Sequence, residues 1–119
     1  MVEGTCHCGA VRFEVDEAPS EVTDCNCSIC RRYAVRWAYY SPRHVRITPS
    51  EGATDIYLCG DRMIEFHRCR NCGCITHWAP ADHEYDRMAV NARLMAPEVW
   101  AHARVRHLDG ADTWTETFD

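Results

Sequence analysis

The spacing of the cysteines constrains this chain more than any other feature. Nine cysteines occur in 119 residues, and seven of them fall into the close groups Cys6–Cys8, Cys25–Cys30 and Cys69–Cys72. Closely spaced thiols from distant segments are the usual ligands of tetrahedral zinc. No basic and apolar leader is present at the start of the sequence, so we expect a reducing compartment, where metal ligation is more common than a disulfide framework.

Two glycines indicate which groups share a metal. Cys8 precedes Gly9 and Cys72 precedes Gly73, and glycine allows the chain to turn sharply beneath a metal because it adopts positive φ at low cost. We therefore predict one closed, structural zinc site with four thiolate ligands. Its ligands are Cys6, Cys8, Cys69 and Cys72.

The remaining close group predicts a second zinc site of a different kind. Cys25, Cys27 and Cys30 supply three thiolates, and three protein ligands with an exchangeable fourth position are typical of a catalytic zinc. A thiol bound there would be deprotonated, and the thiolate is the nucleophilic form. The sequence leaves open whether a further residue closes this site and makes it structural. The candidates are Cys59, His67 and Cys74.

The charges argue for a small anionic ligand and against nucleic acid. The formal net charge is −5, whereas nucleic-acid-binding surfaces are basic. Every cation is arginine, and the region around the second cysteine group is locally positive. Because a guanidinium binds a carboxylate through two hydrogen bonds, we expect Arg31 and Arg32 to hold an anionic ligand. Asn91 and Arg93, at the end of a predicted strand, either face a pocket or lie on the surface.

Short segments that alternate between apolar and polar residues predict a mainly β protein. The predicted strands are residues 11–15, 35–40, 45–48, 55–58, 63–68, 75–78, 87–91 and 104–108. Helix is predicted only for 28–32 and 97–101, and Cys59 is expected in a buried strand. No segment approaches the roughly 20 apolar residues that cross a bilayer. We predict one domain, residues 1–119, in the cytoplasm, of unspecified oligomeric state.

Three blocks of the sequence resemble the signature of the glutathione-dependent formaldehyde-activating enzymes, a family that also contains a vertebrate centromere-associated zinc protein. The blocks are Gly4–Phe13, Cys25–Arg32 and Phe66–Gly73. The resemblance implies an all-β fold of stacked antiparallel sheets, like that of the methionine-R-sulfoxide reductases. It also implies a structural zinc at the first four cysteines and an exchangeable zinc at the other three, where glutathione acts.

The family's reaction forms or cleaves S-hydroxymethylglutathione, a carbon–sulfur lyase chemistry of formaldehyde detoxification. On this resemblance we expect zinc to bind glutathione or a related thiol as a thiolate, which adds to formaldehyde or a similar small carbonyl compound. Position 74 departs from the family pattern, because it carries Cys in place of a small hydroxyl residue. One alternative is a non-catalytic zinc module with two closed sites that binds a protein. Another is methionine sulfoxide reduction, against which the Cys-x-Cys spacing of the first block argues.

Overall fold

The chain folds into two β-sheets with two short α-helices, described for all 119 residues by a computed structural model. In chain order the elements are β1 (Val2–Thr5), β2 (Arg12–Val15), β3 (Glu21–Cys25), α1 (Ser28–Tyr33), β4 (Trp37–Tyr40), β5 (Val45–Thr48), β6 (Thr54–Tyr57), β7 (Ile64–Cys69), β8 (Ile75–Pro80), β9 (Met88–Asn91), α2 (Pro97–Trp100), β10 (Arg104–Leu108) and β11 (Glu116–Phe118). Two 3₁₀ turns, Pro42–His44 and Ala92–Leu94, complete the elements. The mainly β fold is confirmed.

The smaller sheet has three strands in the order β1-β2-β5, and the larger has eight in the order β11-β10-β3-β4-β9-β8-β7-β6. All pairs are antiparallel except β10 with β3, in which Leu108 lies opposite Cys25. The stacked antiparallel sheets predicted from the resemblance therefore contain one parallel pair. A parallel pair needs a long connection, which the chain between β3 and β10 provides.

Each face of the larger sheet has its own apolar core because side chains alternate between the faces of a strand. On one face, Val22, Ala38 and Val90 pack with Phe13 and Val15 of the smaller sheet. On the opposite face, a second cluster forms beneath α1. It contains Cys25, Cys30, Val35, Trp37, Phe66, Trp78, Met88 and Ala89. The second cysteine group thus belongs to this second cluster, which Val45 and Ile47 of the smaller sheet also contact.

The eight predicted strands all occur, with bounds within two residues, but β1, β3 and β11 were not predicted. In β3, the buried Thr23 follows the buried Val22, so the alternation of apolar and polar residues is lost. In β11 every residue is exposed, and such an edge strand has no apolar face to reveal it. The expectation for Cys59 is wrong, because this residue is half-buried in the loop between β6 and β7.

The helices match the two predicted segments and are short. α1 has six residues and α2 has four. No helix in the protein combines the length and the apolar character that a membrane crossing requires. The importance of α1 lies in its position, because it begins immediately after Cys27 and carries Cys30 on its buried side.

Candidate metal centres and their surroundings

The four cysteines predicted to share a metal lie together in the folded chain. We call them the four-cysteine cluster: Cys6, Cys8, Cys69 and Cys72, whose Sγ atoms all lie within 4.8 Å of one another. The Sγ atoms of Cys6 and Cys8, and those of Cys8 and Cys69, are 3.6 Å apart. A zinc tetrahedron with Zn–S bonds of about 2.3 Å has edges of about 3.8 Å. The spacing and the all-sulfur donor set both fit zinc.

Two turns of matching geometry build the four-cysteine cluster. Gly9 has φ of 81° and donates its N–H to the carbonyl of Cys6, and Gly73 has φ of 80° and donates to the carbonyl of Cys69. The expectation that glycine turns the chain here through positive φ is confirmed. The turns also direct backbone N–H groups at sulfur: hydrogen bonds from the N–H groups of Cys74 and Cys8 lower the pKa of Cys72 to about 5. Such donors favour the thiolate that a metal requires.

The other predicted ligands also lie together, and we call Cys25, Cys27 and Cys30 the three-cysteine cluster. Their Sγ atoms lie within 4.8 Å of one another. Cys25 ends β3, while Cys27 is the N-cap of α1 and accepts a hydrogen bond of 3.4 Å from the N–H of Cys30. The Trp37 indole donates to the Cys30 Sγ at 3.4 Å. No fourth His, Cys, Asp or Glu ligand atom joins this cluster.

The three thiols of this cluster differ in the direction in which their surroundings shift the pKa. Burial raises the pKa of Cys25 and of Cys30. Burial acts in the same direction on Cys27, but the hydrogen bonds from Cys30, Cys25 and Ile29 together outweigh it and lower the pKa of Cys27. Cys27 is thus the thiol most readily deprotonated before a metal binds, and three thiolates are a donor set that suits zinc.

Residues 109–111, which follow β10, cover the three-cysteine cluster, and we call them the covering segment. A Cβ atom added to Gly110 would lie 2.7 Å from the Cys25 Sγ and 3.3 Å from the Cys27 Cβ. The segment is fastened by Asn26, whose side chain donates to Asp109 at 3.0 Å and accepts from the N–H of Ala111 at 3.0 Å. Only glycine fits at position 110 without displacing sulfur. No local sequence pattern predicts this contact, because it depends on the pairing of β10 with β3.

The three candidates for a fourth ligand of the second site do not join the three-cysteine cluster. Cys74 adjoins the four-cysteine cluster, where it packs beside Cys72. Cys59 packs against the apolar core without joining the cluster. The Nδ1 of His67 is 2.8 Å from the Thr54 hydroxyl, and its ring stacks on His77. The fourth position at the three-cysteine cluster is therefore free of protein ligands.

A groove of about 510 Å³ runs beside the end of α1. We call it the basic groove; it is lined by Arg32, Tyr33, Ala34, Arg68, Gly73, Cys74, Ile75, Asn91, Arg93 and Leu94. It contains three arginines and no acidic residue. Of the two arginines expected to hold an anionic ligand, Arg32 lines the groove and Arg31 does not; Asn91 and Arg93 both face it. Arg68 was missed because its strand pattern gave no reason to separate it from other surface arginines.

The polar residues that line the basic groove differ in whether they are already paired within the protein. Arg32, Arg68 and Arg93 make no salt bridge within the protein, although Arg32 donates to the carbonyl of Ser28 at 2.8 Å. Asn91 is 7% exposed, donates to the carbonyl of Ile75 and accepts from the N–H of Arg93. Its side chain therefore shapes the groove wall, and the arginines supply the unpaired charge.

Comparison with known proteins identifies the family of this chain. A family model described as glutathione-dependent formaldehyde-activating enzyme matches residues 1–114. The chain belongs to this family. It is similar to a protein of Halomonas elongata named putative glutathione-dependent formaldehyde-activating enzyme, with 54% identity over 35 residues, 29% of this chain and 22% of that relative. The chain thus matches about a fifth of the relative's length.

The fold is also similar to a solved structure. A crystal structure of a Rhodobacter sphaeroides protein superimposes with a TM-score of 0.66 and 30% sequence identity. The match covers 77% of this chain and 85% of the other. The family assignment made from the sequence blocks is confirmed.

Proposed function

We propose that this protein catalyses the addition of the glutathione thiol to formaldehyde, or the reverse cleavage, as its family name suggests. The observation that carries the proposal is the three-cysteine cluster, which offers three thiols within 4.8 Å of one another and no fourth protein ligand. An open position is what distinguishes a catalytic zinc site from a structural one. We assign a structural zinc to the four-cysteine cluster and an exchangeable zinc to the three-cysteine cluster.

The reaction requires no oxidant or reductant. The thiol sulfur forms a bond to the carbonyl carbon, the thiol proton moves to the carbonyl oxygen, and the product is S-hydroxymethylglutathione. When bound at the three-cysteine cluster, zinc supplies the positive charge that keeps a substrate thiol deprotonated near neutral pH. The reverse reaction breaks the same carbon–sulfur bond, which is the lyase direction.

The protein's own residues bind and orient the thiol substrate. Glutathione carries two carboxylates, and the basic groove presents Arg32, Arg68 and Arg93 without a carboxylate in its lining. Arg32 lies on the same short helix as Cys30, so the groove and the cluster are neighbours. Bidentate pairing with arginine fixes the orientation of a carboxylate as well as its position.

The covering segment limits access of water to the sulfur atoms. Gly110 lies against Cys25, and the side chain of Asn26 holds that segment in place. A shielded site favours the thiolate addition because electrostatic interactions strengthen when water is excluded. We also propose a cytoplasmic location, because nine free thiols and a thiol substrate suit a reducing compartment.

The test combines zinc content with turnover in a matched pair of variants. The wild-type protein should contain two zinc ions, one of which responds to glutathione, and should accelerate exchange between formaldehyde and S-hydroxymethylglutathione in two-dimensional exchange NMR. Cys27→Ser should lose one zinc and the turnover while remaining folded, because serine is itself a good N-cap for α1. Cys59→Ser, which removes a thiol outside both clusters, should retain both.

Two zinc ions that glutathione neither displaces nor perturbs, together with no acceleration, would contradict the proposal. That result would favour the alternative of a zinc module that binds another protein.

A further inference from the structure

A second cavity lies on the same face of the larger sheet as the three-cysteine cluster. Its volume is about 450 Å³. We call it the aromatic cleft; its lining includes Tyr39, Ile64, Trp78, Arg87, Leu108 and Trp114. These residues come from both halves of the eight-stranded sheet, so the sheet curls around the cavity. The cleft plays no part in the proposed binding of glutathione carboxylates.

The aromatic cleft and the three-cysteine cluster share a wall. Leu108 lines the cleft and lies opposite Cys25 in the parallel pairing of β10 with β3. The position of a Cβ on Gly110 is 2.7 Å from the Cys25 Sγ and 3.5 Å from the ring of Trp114. Gly110 thus contacts the cluster through Cys25 and the cleft through Trp114.

The lining of the cleft favours a flat, apolar molecule. Tyr39 and Trp78 pack edge to face with ring centroids 6.2 Å apart, and the Arg87 guanidinium lies 4.1 Å from the centre of the Tyr39 ring. Such rings offer large contact areas and recurrent stacking geometries. Trp114, 67% exposed at the rim, leaves its ring available to cover a ligand.

The charges of the cleft are close to balanced, which disfavours a strongly charged ligand. Arg106 is paired with Glu116 at 2.6 Å. The two charges that remain in the lining are those of Arg87 and Asp82, which are opposite. A neutral ligand therefore loses little electrostatic free energy on entering, whereas the basic groove is suited to anions.

Formaldehyde alone does not account for a cavity of this size. It has two heavy atoms, and a single water molecule takes up about 30 Å³ in the liquid, so 450 Å³ exceeds the needs of formaldehyde several-fold. Cavities of roughly 300–1,000 Å³ that are mainly apolar are typical of sites for larger organic ligands.

We propose that the aromatic cleft binds the body of the carbonyl substrate, and that this substrate class is neutral aldehydes with an aromatic or similarly flat apolar group. The inference rests on the proposed function. The reaction has the same balance as with formaldehyde: the thiol sulfur bonds to the aldehyde carbon, and the thiol proton passes to the aldehyde oxygen. The product is the corresponding hydroxyalkyl thioether of glutathione.

Binding can be tested without turnover by using benzyl alcohol, which resembles an aromatic aldehyde but cannot react with a thiol. Saturation-transfer NMR and titration with the zinc-loaded protein should show binding of benzyl alcohol. Trp114→Ala should weaken it about fivefold through the loss of one aromatic contact. Ile64→Trp on β7 fills part of the cleft and should also weaken the binding of benzyl alcohol. Tyr57→Ala, the matched control, removes an exposed ring on β6 outside the cleft and should leave binding unchanged.

Kinetics test whether the bound molecule is a substrate. With glutathione as the thiol, Trp114→Ala should lower the ratio of kcat/KM for benzaldehyde to kcat/KM for formaldehyde about fivefold, and Tyr57→Ala should not change it. Benzyl alcohol binding that is absent, or equal in all the variants, overturns the inference even if formaldehyde reacts. An unchanged ratio in Trp114→Ala also overturns it. Absence of turnover with formaldehyde and benzaldehyde alike would instead overturn the proposed function, and the substrate assignment with it.

Discussion

The two cysteine clusters use the same donor atom in different surroundings. The four-cysteine cluster is formed by two glycine turns, and its thiols range from buried Cys6 and Cys69 to half-buried Cys72 and exposed Cys8. The three-cysteine cluster is set into an apolar core, with Cys25 and Cys30 buried and Gly110 directly above. The first cluster offers four thiols to a metal ion, and the second offers three.

The difference shows that ligand chemistry alone does not assign a role to a thiol site. Four thiolates complete a tetrahedron and leave no place for a substrate. Three thiolates leave a place, but its usefulness depends on what lies beside it. Arg32 of the basic groove lies on the helix that carries Cys30, and Leu108 of the aromatic cleft is paired with Cys25.

The largest expected effect separates the clusters by their contribution to folding. Cys69→Ser should lose the zinc of the four-cysteine cluster and most of the folded population, because the free energy of binding a structural zinc is about 10–16 kcal/mol in small domains and a whole domain is stable by about 5–15 kcal/mol. Circular dichroism, thermal unfolding and zinc analysis check this. Cys74→Ser, beside the same cluster, should keep both zinc ions. A folded Cys69→Ser protein with a wild-type melting temperature would contradict the structural role.

The next effect concerns the basic groove, whose Arg32 lies on the same helix as Cys30. Arg93→Gln should raise KM for glutathione about 10- to 100-fold, since a hydrogen bond to a charged group contributes about 1.5–3 kcal/mol. KM for 2-mercaptoethanol, which has no carboxylate, should stay the same. Steady-state kinetics with both thiols provide the measurement. Arg46→Gln on β5 serves as the control for a general loss of positive charge. Equal changes for the two thiols would mean that the groove does not bind carboxylates.

A smaller effect should distinguish the clusters by their packing. Gly110→Ala places a methyl group 2.7 Å from the Cys25 Sγ, and relieving such a clash costs about 1–3 kcal/mol. Zinc affinity at the three-cysteine cluster should fall by about 10- to 100-fold, while the four-cysteine cluster retains its metal. Competition with a chromophoric chelator resolves the two sites. Ala111→Ser, at the next position, should leave both affinities unchanged; a parallel loss at both clusters would show that they are not independent.

The smallest effect separates two causes of a loss of stability in acid: release of zinc and protonation of His77. Burial lowers the pKa of His77 to about 3, whereas its unfolded value is about 6.5. The neutral form is favoured by folding, so its contribution is complete above pH 6.5 and is lost as the pH falls from there toward 3. Between pH 7.5 and 5.5 the free energy of unfolding should fall by about 1 kcal/mol from this group.

Urea unfolding of the wild type and of His77→Gln at the two pH values measures this contribution. The variant should lose about 1 kcal/mol of the acid sensitivity, and the exposed His102→Gln should lose none. If all three proteins have the same pH dependence, release of zinc accounts for the acid sensitivity instead.

From the sequence alone it was possible to predict which cysteines lie together in the fold and where most of the strands occur. Cysteine spacing is local, and so is the conformational freedom of Gly9 and Gly73, so both are visible without a fold. Eight strands were predictable because one face of each meets an apolar core and the other does not. Nothing local distinguished β3, where Thr23 is buried, or β11, which is exposed along its length.

The surroundings of the three-cysteine cluster depend on the tertiary structure. The sequence left open whether Cys74 belongs to the second metal site. The fold places it beside the four-cysteine cluster instead. The contact of Gly110 with Cys25 follows from the parallel pairing of distant strands. Arg68 and Trp114 lie 38 and 84 positions from Cys30 by their numbering. Local patterns report which residues can bind a metal, whereas long-range strand pairing sets which charges and rings lie beside it.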